Sequence, residues 1–564
     1  MIKTLKKAAL PLAMGLAFAG SANAFVVNDT FSGNYWEGPA KDGRGVILEI
    51  APDATQEFGN TAVVQWFTYR DGDPIWLLGI GSIDQNTNVA DLEIFEFVGG
   101  DFGDDFKTAD RTREVWGEGT LTFNSCNEIV LEAEGTDGSA TQTLSPVTQG
   151  NCVVEEKFTE CPSFATAGAL RGSCIITGDI DTDVTLTNEI TWLPQGQVNI
   201  LDGATVTIEP NTEVVGGSSG GVDFVVVRQG AKMIADGTRD NPIVMRGVES
   251  LARGEWGGLA INGYAPINGC PEGTEVCTNE GEGDSGVYGG NDPFDNSGVY
   301  RYLIVSNAGF EYSPDNELNG ISAQGVGSGT VMEYIQVHLN ADDGVEPYGG
   351  TVNMKYLVLT GNGDDSFDWV RGYKGNVQHV LIKQYTDDGD RGIEADNLGS
   401  NNDSLPRSFP KLANFTIIGQ DGNDDGVLLR AGTAANIANF VVTGAGNACL
   451  DIDGAATFTQ ATEENLTIVN SVMGGCGKTF NDNAEGDAFA ISTWFLAQDG
   501  NADADPLLNN YIPSATSPAI GVGAVPFNDP FFDNVDYAGA IRDAKSDWTK
   551  GWTVGLDRDA PIAQ

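Results

Sequence analysis

The feature that most constrains the fold is an internal repeat of a short apolar run followed by a polar turn. Five runs rich in β-branched residues recur in the middle of the chain: Val331–His338, Val352–Thr360, Val377–Lys383, Leu412–Ile418 and Ile437–Thr443. Each is followed by a turn rich in Asn, Asp and Gly. One such repeat has no core of its own, so neighbouring repeats must stack to bury their apolar side chains. The pattern predicts a parallel β-helix with one coil per repeat.

Paired acids recur in these turns. The pairs are Asp342–Asp343, Asp364–Asp365, Asp387–Asp388 and Asp424–Asp425. Their first members are 22, 23 and 37 residues apart, and the insertion 397–410 enlarges the last interval. Stacking would place equivalent carboxylates about 4.8 Å apart, where like charges repel by about 1 kcal/mol in water. Such a ladder favours Ca²⁺, basic neighbours or raised pKa values; the alternative is that Asp and Asn serve only as turn formers.

The N-terminus has the pattern of a secretory signal. Three lysines within Met1–Lys7 precede an apolar run from Ala8 to Gly20 and the small residues Ser21–Ala24. This predicts a removed signal peptide over 1–24 with Phe25 as the first mature residue. No cysteine follows the cleavage point, which disfavours a lipid anchor there. We therefore expect an exported protein that is secreted, associated with the outer membrane or periplasmic.

The cysteines and the charge agree with export. The eight cysteines predict four disulfides between sequence neighbours, Cys126–Cys152, Cys161–Cys174, Cys270–Cys277 and Cys449–Cys476. The chain has 80 acidic and 30 basic residues, for a formal net charge of −50. Such a surface disfavours nucleic acid and anionic lipid as partners and attracts divalent cations; solubility alone is the other explanation of the charge.

Two regions follow the predicted signal. Residues 25–152 contain alternating apolar runs separated by turns, which predicts a small antiparallel β module. Residues 153–190 are expected to form a linker and the start of the helix, and residues 191–564 the β-helix with a C-terminal tail. The fold class is thus all-β, a right-handed parallel β-helix preceded by the module. Four tryptophans of the module could either stack on sugars or fill its core: Trp36, Trp66, Trp76 and Trp116.

Several motifs resemble known exported proteins. The stretch from Gly289–Tyr300 through Asp364–Trp369, together with Gly254–Gly263 and the tail segment Phe532–Tyr537, resembles a family of right-handed, pectin-lyase-like β-helix proteins of Gram-negative bacteria. The N-terminal module resembles a repeated module of exported Gram-negative proteins. The resemblance covers roughly 190–560 and implies the fold and an extracytoplasmic location. It implies no particular activity.

The segment from Asp364 to Arg391 has the richest chemistry. Candidate catalytic residues are Asp364, Asp365, Asp387, Asp388, Arg371, Lys383 and Arg391, and candidate ligand-binding residues are Trp369, Tyr373 and Lys374. Asn362–Asp365 is similar to the paired aspartates of polygalacturonases, although the Gly-His-Gly element of that family is missing. Carboxylates, aromatics and basic groups together would suit an acidic sugar bridged by Ca²⁺, whereas a surface ion-pair network is the alternative.

Two further sets of acids are candidate metal ligands. One is formed by the turn residues Asp342, Asp343, Asp424 and Asp425, and the other by Asp499, Asn501, Asp503 and Asp505. The second set has the alternating spacing of an EF-hand loop but lacks its Gly at the sixth position and Glu at the twelfth. Ca²⁺ is the cofactor that both sets predict.

Three functions remain open at this stage. The favoured hypothesis is a non-catalytic surface protein that binds a glycan or another cell-surface partner. The second is a Ca²⁺-dependent polysaccharide lyase or glycoside hydrolase that uses the acids and basic residues named above. The third is an accessory partner of an outer-membrane receptor.

Overall fold

The computed structural model describes residues 27–41, 43–53, 59–84, 87–99, 111–147, 152, 161–168, 172–217, 222–248, 252–313, 316–482 and 486–558. The predicted signal peptide, Phe25 and residues 153–160 of the predicted linker lie outside these ranges. By its internal contacts the chain divides into two units, Met1–Thr159 and Glu160–Gln564. No helix in the described ranges is long and apolar enough to cross a membrane.

The described part of the first unit is a closed antiparallel sheet. Its strands are β1 Gly33–Trp36, β2 Gly45–Asp53, β3 Gly59–Arg70, β4 Asp73–Asp84, β5 Val89–Gly99, β6 Arg111–Ser125, β7 Glu128–Gly135 and β8 Gly138–Pro146. Each strand pairs with the next, and β1 closes the sheet against β8. Alternate side chains point inward, as the period of two in the apolar runs predicts.

The tryptophans of this unit have different roles. Trp66 and Trp116 are buried in its core, where their rings meet edge to face at 5.5 Å. Trp76 is 46% exposed and stacks on Phe97 at 5.5 Å, and Trp36 is half-buried in β1. The four side chains therefore do not form one platform, because alternation along the strands sends two of them inside.

The second unit is built almost entirely of parallel strands. Its strands are β9 Thr166–Ala167, β10 Ser173–Ile180, β11 Val184–Leu186, β12 Thr191–Ile200, β13 Thr205–Ile208, β14 Glu213–Gly216, β15 Phe224–Val227, β16 Lys232–Asp236, β17 Ile243–Gly247, β18 Leu259–Asn262, β19 Asn279–Gly281, β20 Gly286–Tyr288, β21 Gly298–Ser306, β22 Phe310–Ser313, β23 Asn316–Leu318, β24 Ile321–Gln324, β25 Val331–His338, β26 Val345–Tyr348, β27 Asn353–Thr360, β28 Phe367–Trp369, β29 Asn376–Lys383, β30 Ile393–Ala395, β31 Lys411–Ile418, β32 Val427–Leu429, β33 Ala435–Ala438, β34 Val441–Thr443, β35 Ala448–Ile452, β36 Leu466–Val469, β37 Val472–Met473, β38 Lys478–Phe480, β39 Ala502–Asp503, β40 Leu508–Asn509 and β41 Ile512–Pro513. Two short helices follow the later coils, α1 Ala455–Thr462 and α2 Ile491–Leu496.

Successive coils stack in register. The long strands β21, β25, β27, β29 and β31 pair in that order, and the short strands β24, β26, β28, β30 and β32 form a second parallel series. The inward side chains of both series are the β-branched and aromatic residues of the repeat, which are fully buried. The predicted β-helix is confirmed.

A left-handed residue bends each long strand between two faces of the helix. These residues are Tyr302, Tyr334, Tyr356, His379 and Asn414, with φ between +44° and +63°. The four rings among them stack along the helix at 4.5, 4.4 and 5.0 Å. Trp548 and Trp552 of the C-terminal segment pack edge-on against this stack, so the tail covers one face of the helix.

All four predicted disulfides are confirmed. They join Cys126 to Cys152, Cys161 to Cys174, Cys270 to Cys277 and Cys449 to Cys476. Each disulfide therefore links sequence neighbours. The described part of the chain has no free cysteine.

Candidate functional site

The second aspartate of each acidic turn ties its coil to the next. Oδ1 of Asp343 accepts a hydrogen bond from the backbone N–H of Asp365 at 2.9 Å, and Oδ1 of Asp365 accepts one from Arg391 at 2.7 Å. Oδ1 of Asp425 accepts from the backbone N–H of Ala448 at 2.9 Å. All three carboxylates are buried, so these second aspartates have a structural role: they join neighbouring coils.

The same ladder corrects the predicted register of the third coil. The backbone N–H of Asp390 donates to the carbonyl of Asp364 at 3.0 Å, and that of Asp424 donates to Asp390 at 2.9 Å. Asp390, rather than Asp387, is therefore the equivalent of Asp364. Arg391 then occupies the position that an aspartate holds in the other coils, and it brings a cation into the ladder.

A column of acids lies on the outward side of the coils beside these turns, and two of its three members, Glu346 and Glu394, are only 7% exposed. Asp368 pairs in register with Glu394, and the pairing of Val345 with Phe367 places Glu346 beside Asp368. Phe367 and Trp369 point inward and are fully buried. Because side chains alternate along a strand, Asp368 points outward. Glu346, Asp368 and Glu394 thus form a column on three successive coils, about 4.8 Å apart per coil.

Hydrogen-bond donors from neighbouring segments close one end of the column. Nδ2 of Asn319 donates to Oε2 of Glu346 at 2.8 Å and lies 3.0 Å from the hydroxyl of Tyr348. That hydroxyl donates to Glu282. We call the surface formed by Glu282, Asp343, Glu346, Asp365, Asp368, Glu394 and Asp396 the acidic face.

Two arginines neutralise the other end. Arg391 pairs with Glu394 at 2.9 Å and with Asp390. Arg430 pairs with Asp396 at 2.9 Å and with Glu394. No ion pair to Asp343, Glu346 or Asp368 occurs within the described ranges. The acidic face is therefore charge-balanced around Glu394 and unbalanced around Glu346 and Asp368.

Burial and mutual repulsion raise the pKa values at the unbalanced end. Desolvation, followed by the charges of neighbouring acids, raises the pKa of Asp343, Glu346 and Asp368 well above the ordinary carboxylate range. Desolvation raises the pKa of Glu282 to about 7 and that of Asp342 to about 8. These groups need either protons or a cation to be stable together.

The oxygens at this end converge as metal ligands do. One carboxylate oxygen each from Asp343, Glu346 and Asp368 lie within 4.8 Å of one another. Ligands about 2.4 Å from a Ca²⁺ ion can be up to about 4.8 Å apart, so the three fit around one centre. Oδ1 of Asp368 and Oδ1 of Asn319 are buried and have no hydrogen-bond partner among the described residues.

Some of the residues predicted as catalytic come together. Asp364, Asp365 and Asp390 form a second convergent group, and Asp342 joins Asp343 and Asp364 in a third. Arg371 lies close enough to Glu282 to lower its pKa.

Other predicted site residues lie elsewhere. Asp387 forms a two-point ion pair with Arg253 at 2.7 and 3.1 Å, and Asp388 lies 3.8 Å from the same arginine. Lys383 is buried under the C-terminal segment, where Nζ donates to Asn510 and to the carbonyl of Leu556. Lys383 is on the long strand β29, whose outer side is covered by the tail, and not on the acidic face.

The predicted ligand-binding aromatics are also corrected. Trp369 and Tyr373 are fully buried, with Nε1 of Trp369 donating to Thr433 and the hydroxyl of Tyr373 donating to Val352. Neither ring has a surface for a ligand, because both occupy inward positions of their coil. Lys374 is exposed.

The residues with the EF-hand-like spacing make other contacts, and among the described residues their carboxylates belong to no convergent ligand group. Nδ2 of Asn501 donates to the carbonyls of Ile468 and Phe495. The carboxylates of Asp503 and Asp505 accept from Thr479 and Leu507, respectively. The segment is extended, with Asp503 in β39, whereas an EF-hand loop wraps around its ion.

Asp424 and Asp425 likewise belong to no convergent group of ligand atoms in the part of the chain that the structure describes. Asp424 pairs with Arg391 at 3.3 Å, and Asp425 accepts the coil-to-coil hydrogen bonds described above. The carboxylate of Asp424 is therefore occupied by an arginine, and that of Asp425 by a backbone donor.

Sequence reasoning missed much of the acidic face. The missed residues are Glu282, Asn319, Glu346, Tyr348, Glu394, Asp396 and Arg430. A usable signal was the spacing of three: Glu346, Asp368 and Glu394 follow Asp343, Asp365 and Arg391 by three residues each. Glu282 and Asn319 come from loops whose positions no repeat pattern indicates.

Comparisons with known proteins give the family. Residues 178–553 match a family model described as a pectate-lyase-like beta helix domain. No curated protein sequence matches the chain. A periplasmic alginate epimerase, AlgG, is a similar solved structure, with 11% identity, a TM-score of 0.30, and coverage of 60% of this chain and 80% of that one. The catalytic domain of a GH87 alpha-1,3-glucanase has 8% identity and a TM-score of 0.25, and covers 87% of this chain and 97% of that one. Similarity this low carries no argument about activity.

Proposed function

Because the chain belongs to the pectate-lyase-like beta helix domain family, we propose that its acidic face binds a divalent cation and, through it, an acidic polysaccharide. The observation that carries the proposal is the convergence of Asp343, Glu346 and Asp368 where no described ion pair balances them. Asp343, Glu346 and Asp368 would hold the ion together with the unpartnered Oδ1 of Asn319. Ca²⁺ suits this all-oxygen set.

The bound ion supplies positive charge to a surface that otherwise repels an anionic sugar. Ca²⁺ takes six to eight oxygen ligands, more than the four protein groups provide. The remaining positions would accept carboxylates of the polysaccharide. Arg391 and Arg430, at the balanced end, hold the neighbouring acids and shape the same surface. Binding without cleavage follows, since none of these groups is a free base beside the ion.

Retention of the protein on polymers tests this proposal. The full chain is applied to immobilised polygalacturonate and alginate at pH 7.5, either with a chelator or with about 10 mM Ca²⁺, which is about ten times the dissociation constant of weak, millimolar Ca²⁺ sites. We expect retention only with Ca²⁺, and its loss in Asp368→Asn. Asp421→Asn, at an exposed turn position, is the matched control. Equal retention with the chelator would contradict the proposal.

A glycoside hydrolase is the second candidate, and one observation favours it. Asp368 and Glu394 are neighbours in the column but have different surroundings. Burial and nearby acids raise the pKa of Asp368 well above its usual range, whereas Arg430 and Arg391 oppose the effect of burial on Glu394. Burial raises the pKa of Glu394 as well, but the two arginines make Glu394 the more readily ionised of the two groups. Carboxyl groups on adjacent strands are about 4.8 Å apart, close to the separation of about 5 Å in retaining glycosidases.

Asp368 would then protonate the glycosidic oxygen and Glu394 would attack the sugar. A lyase would need a basic residue that can abstract a proton. Arg391 is held by ion pairs and Lys383 lies under the tail, which leaves Arg371 near Glu282 and the exposed Lys374 as the candidates. Cleavage of the retained polymers, or of uncharged glucans, measured as new reducing ends, distinguishes this candidate from binding. Loss of cleavage in Glu394→Gln with unchanged folding would support it, and absence of cleavage would reject it.

We also propose that the protein is exported. The four disulfides support an oxidising compartment. A partner at the outer membrane stays a prediction from sequence.

A further inference from the structure

A second groove lies near the C-terminal end of the β-helix, away from the acidic face. Its volume is about 500 Å³, within the usual range for small-ligand sites of roughly 300–1,000 Å³. Its lining includes Asn436, Thr467, Gln498, Asp499, Pro526 and Phe527. The acidic face stands on β26, β28 and β30, whereas this groove stands on β33 and β36.

The polar side chains of the groove come from successive coils. Asn436 and Thr467 are register partners at outward positions of β33 and β36, and the Thr467 hydroxyl donates to Oδ1 of Asn436 at 2.9 Å. On the next coil, Oε1 of Gln498 accepts from the backbone N–H of Ile468 at 3.0 Å. These hydrogen bonds fix the amide and hydroxyl groups in a row.

One donor in this row has no partner. Nε2 of Gln498 is buried and makes no hydrogen bond to any residue that the structure describes. A buried amide donor without a partner destabilises the folded chain, and a ligand oxygen would satisfy it. The carboxylate of Asp499 adds two acceptors beside it.

The opposite wall is aromatic. Pro526 and Phe527 belong to the C-terminal segment, and Phe527 is half-buried. Phe532 meets its ring at 4.9 Å and fixes it in place. The groove thus combines an apolar ring with amide, hydroxyl and carboxylate groups, and its described lining has no basic side chain.

We propose that this groove binds an uncharged saccharide. The amides of Asn436 and Gln498 and the carboxylate of Asp499 are suited to sugar hydroxyls, which both donate and accept hydrogen bonds. The Phe527 ring offers an apolar surface to the C–H face of a pyranose. Asp499 and the absence of lining cations disfavour an acidic sugar. This site goes beyond the proposed function, because its ligand and its location both differ.

Titration calorimetry of the full chain with uncharged hexasaccharides tests the proposal. The probes are β-1,4-, β-1,3- and α-1,4-linked glucose and β-1,4-linked xylose oligomers, with a chelator present. We expect at least one to bind. Asp499→Asn and Thr467→Val should each weaken binding about tenfold. Asp499→Asn replaces a charged acceptor by a neutral amide, and Thr467→Val removes a hydroxyl from the groove. Thr467→Val keeps the side-chain shape, so it separates loss of binding from loss of fold.

The controls separate the two sites. Asp421→Asn should leave affinity unchanged, and so should Asp368→Asn, which alters only the acidic face. Failure of every uncharged probe to bind would overturn the proposal. So would binding that neither groove variant weakens, or binding that Asp368→Asn abolishes. None of these outcomes changes the Ca²⁺-dependent retention expected at the acidic face.

Discussion

Replacing Asp425 by asparagine should stabilise the folded chain at pH 8 and leave it almost unchanged at pH 4. Asp425 is 3% exposed, and its Oδ1 accepts from Nδ2 of Asn447 and the backbone N–H of Ala448. Burial, opposed by the Ala448 hydrogen bond, raises its pKa from 3.8 to about 6. An asparagine keeps an oxygen for both donors and never ionises.

The size of the effect follows from the pKa. A raised carboxylate pKa means that the folded chain binds the proton more tightly than the unfolded chain. This contribution to stability is fully present below about pH 4 and is lost as the pH rises through about 6. The shift of about 2 units corresponds to about 3 kcal/mol. At pH 8 the wild type carries this cost and Asp425→Asn does not.

Urea unfolding followed by tryptophan fluorescence measures the difference between pH 4 and pH 8. We expect the unfolding free energy of Asp425→Asn, relative to wild type, to rise by about 3 kcal/mol over this interval. Asp421→Asn, at an exposed position, should show almost no pH-dependent difference. A constant difference for Asp425→Asn would refute the view that burial raises the pKa of Asp425 in the folded chain.

Three further predictions concern the acidic face. Cation affinity should rise with pH, because burial raises the pKa of the ligands Asp343, Glu346 and Asp368 well above the ordinary range and the ion must displace their protons; calorimetry in two buffers would detect the release of these protons, and a pH-independent affinity would contradict it. With a chelator present, Asp368→Asn should have a higher melting temperature than the wild type. Ca²⁺ should raise the melting temperature of the wild type but not that of Asp368→Asn. If scanning calorimetry showed the same rise with Ca²⁺ in both proteins, the ion would bind elsewhere. Arg430→Gln should lower the free energy of unfolding by about 3 kcal/mol at pH 7.5, because it leaves the charge of Glu394 partly uncompensated in a buried site. The loss should be clearly smaller at pH 4.5. Urea unfolding midpoints that fell equally at both pH values would show that the ion pair is unimportant.

The sequence was sufficient for the repeat and insufficient for its exact register. Strand runs and polar turns predicted the β-helix because one coil cannot bury its own apolar residues. The third coil was misaligned, since Asp387–Asp388 imitates the repeated pair while the hydrogen bonds use Asp390 and Arg391. Only the ladder between coils distinguishes the two alignments.

The site was predicted in part for a related reason. Asp364 and Asp365 were identified because they stand in turns, where acids are conspicuous. Glu346 escaped notice because its importance depends on its neighbours Asp368 and Asn319, which lie on other coils or loops. Conversely, Trp369 is conspicuous as a residue type, but side chains alternate along its strand and that of Trp369 points into the core. Composition indicates chemistry, whereas register decides which residues share a face.

The most direct test of the cation site is anomalous diffraction from crystals of the full chain grown with Tb³⁺, which replaces Ca²⁺ at oxygen sites. We expect an anomalous peak between the carboxylates of Asp343, Glu346 and Asp368, and no peak there in crystals of Asp368→Asn. The proposed cation site would be wrong if wild-type crystals gave no peak at these carboxylates, whether or not Tb³⁺ binds elsewhere on the chain.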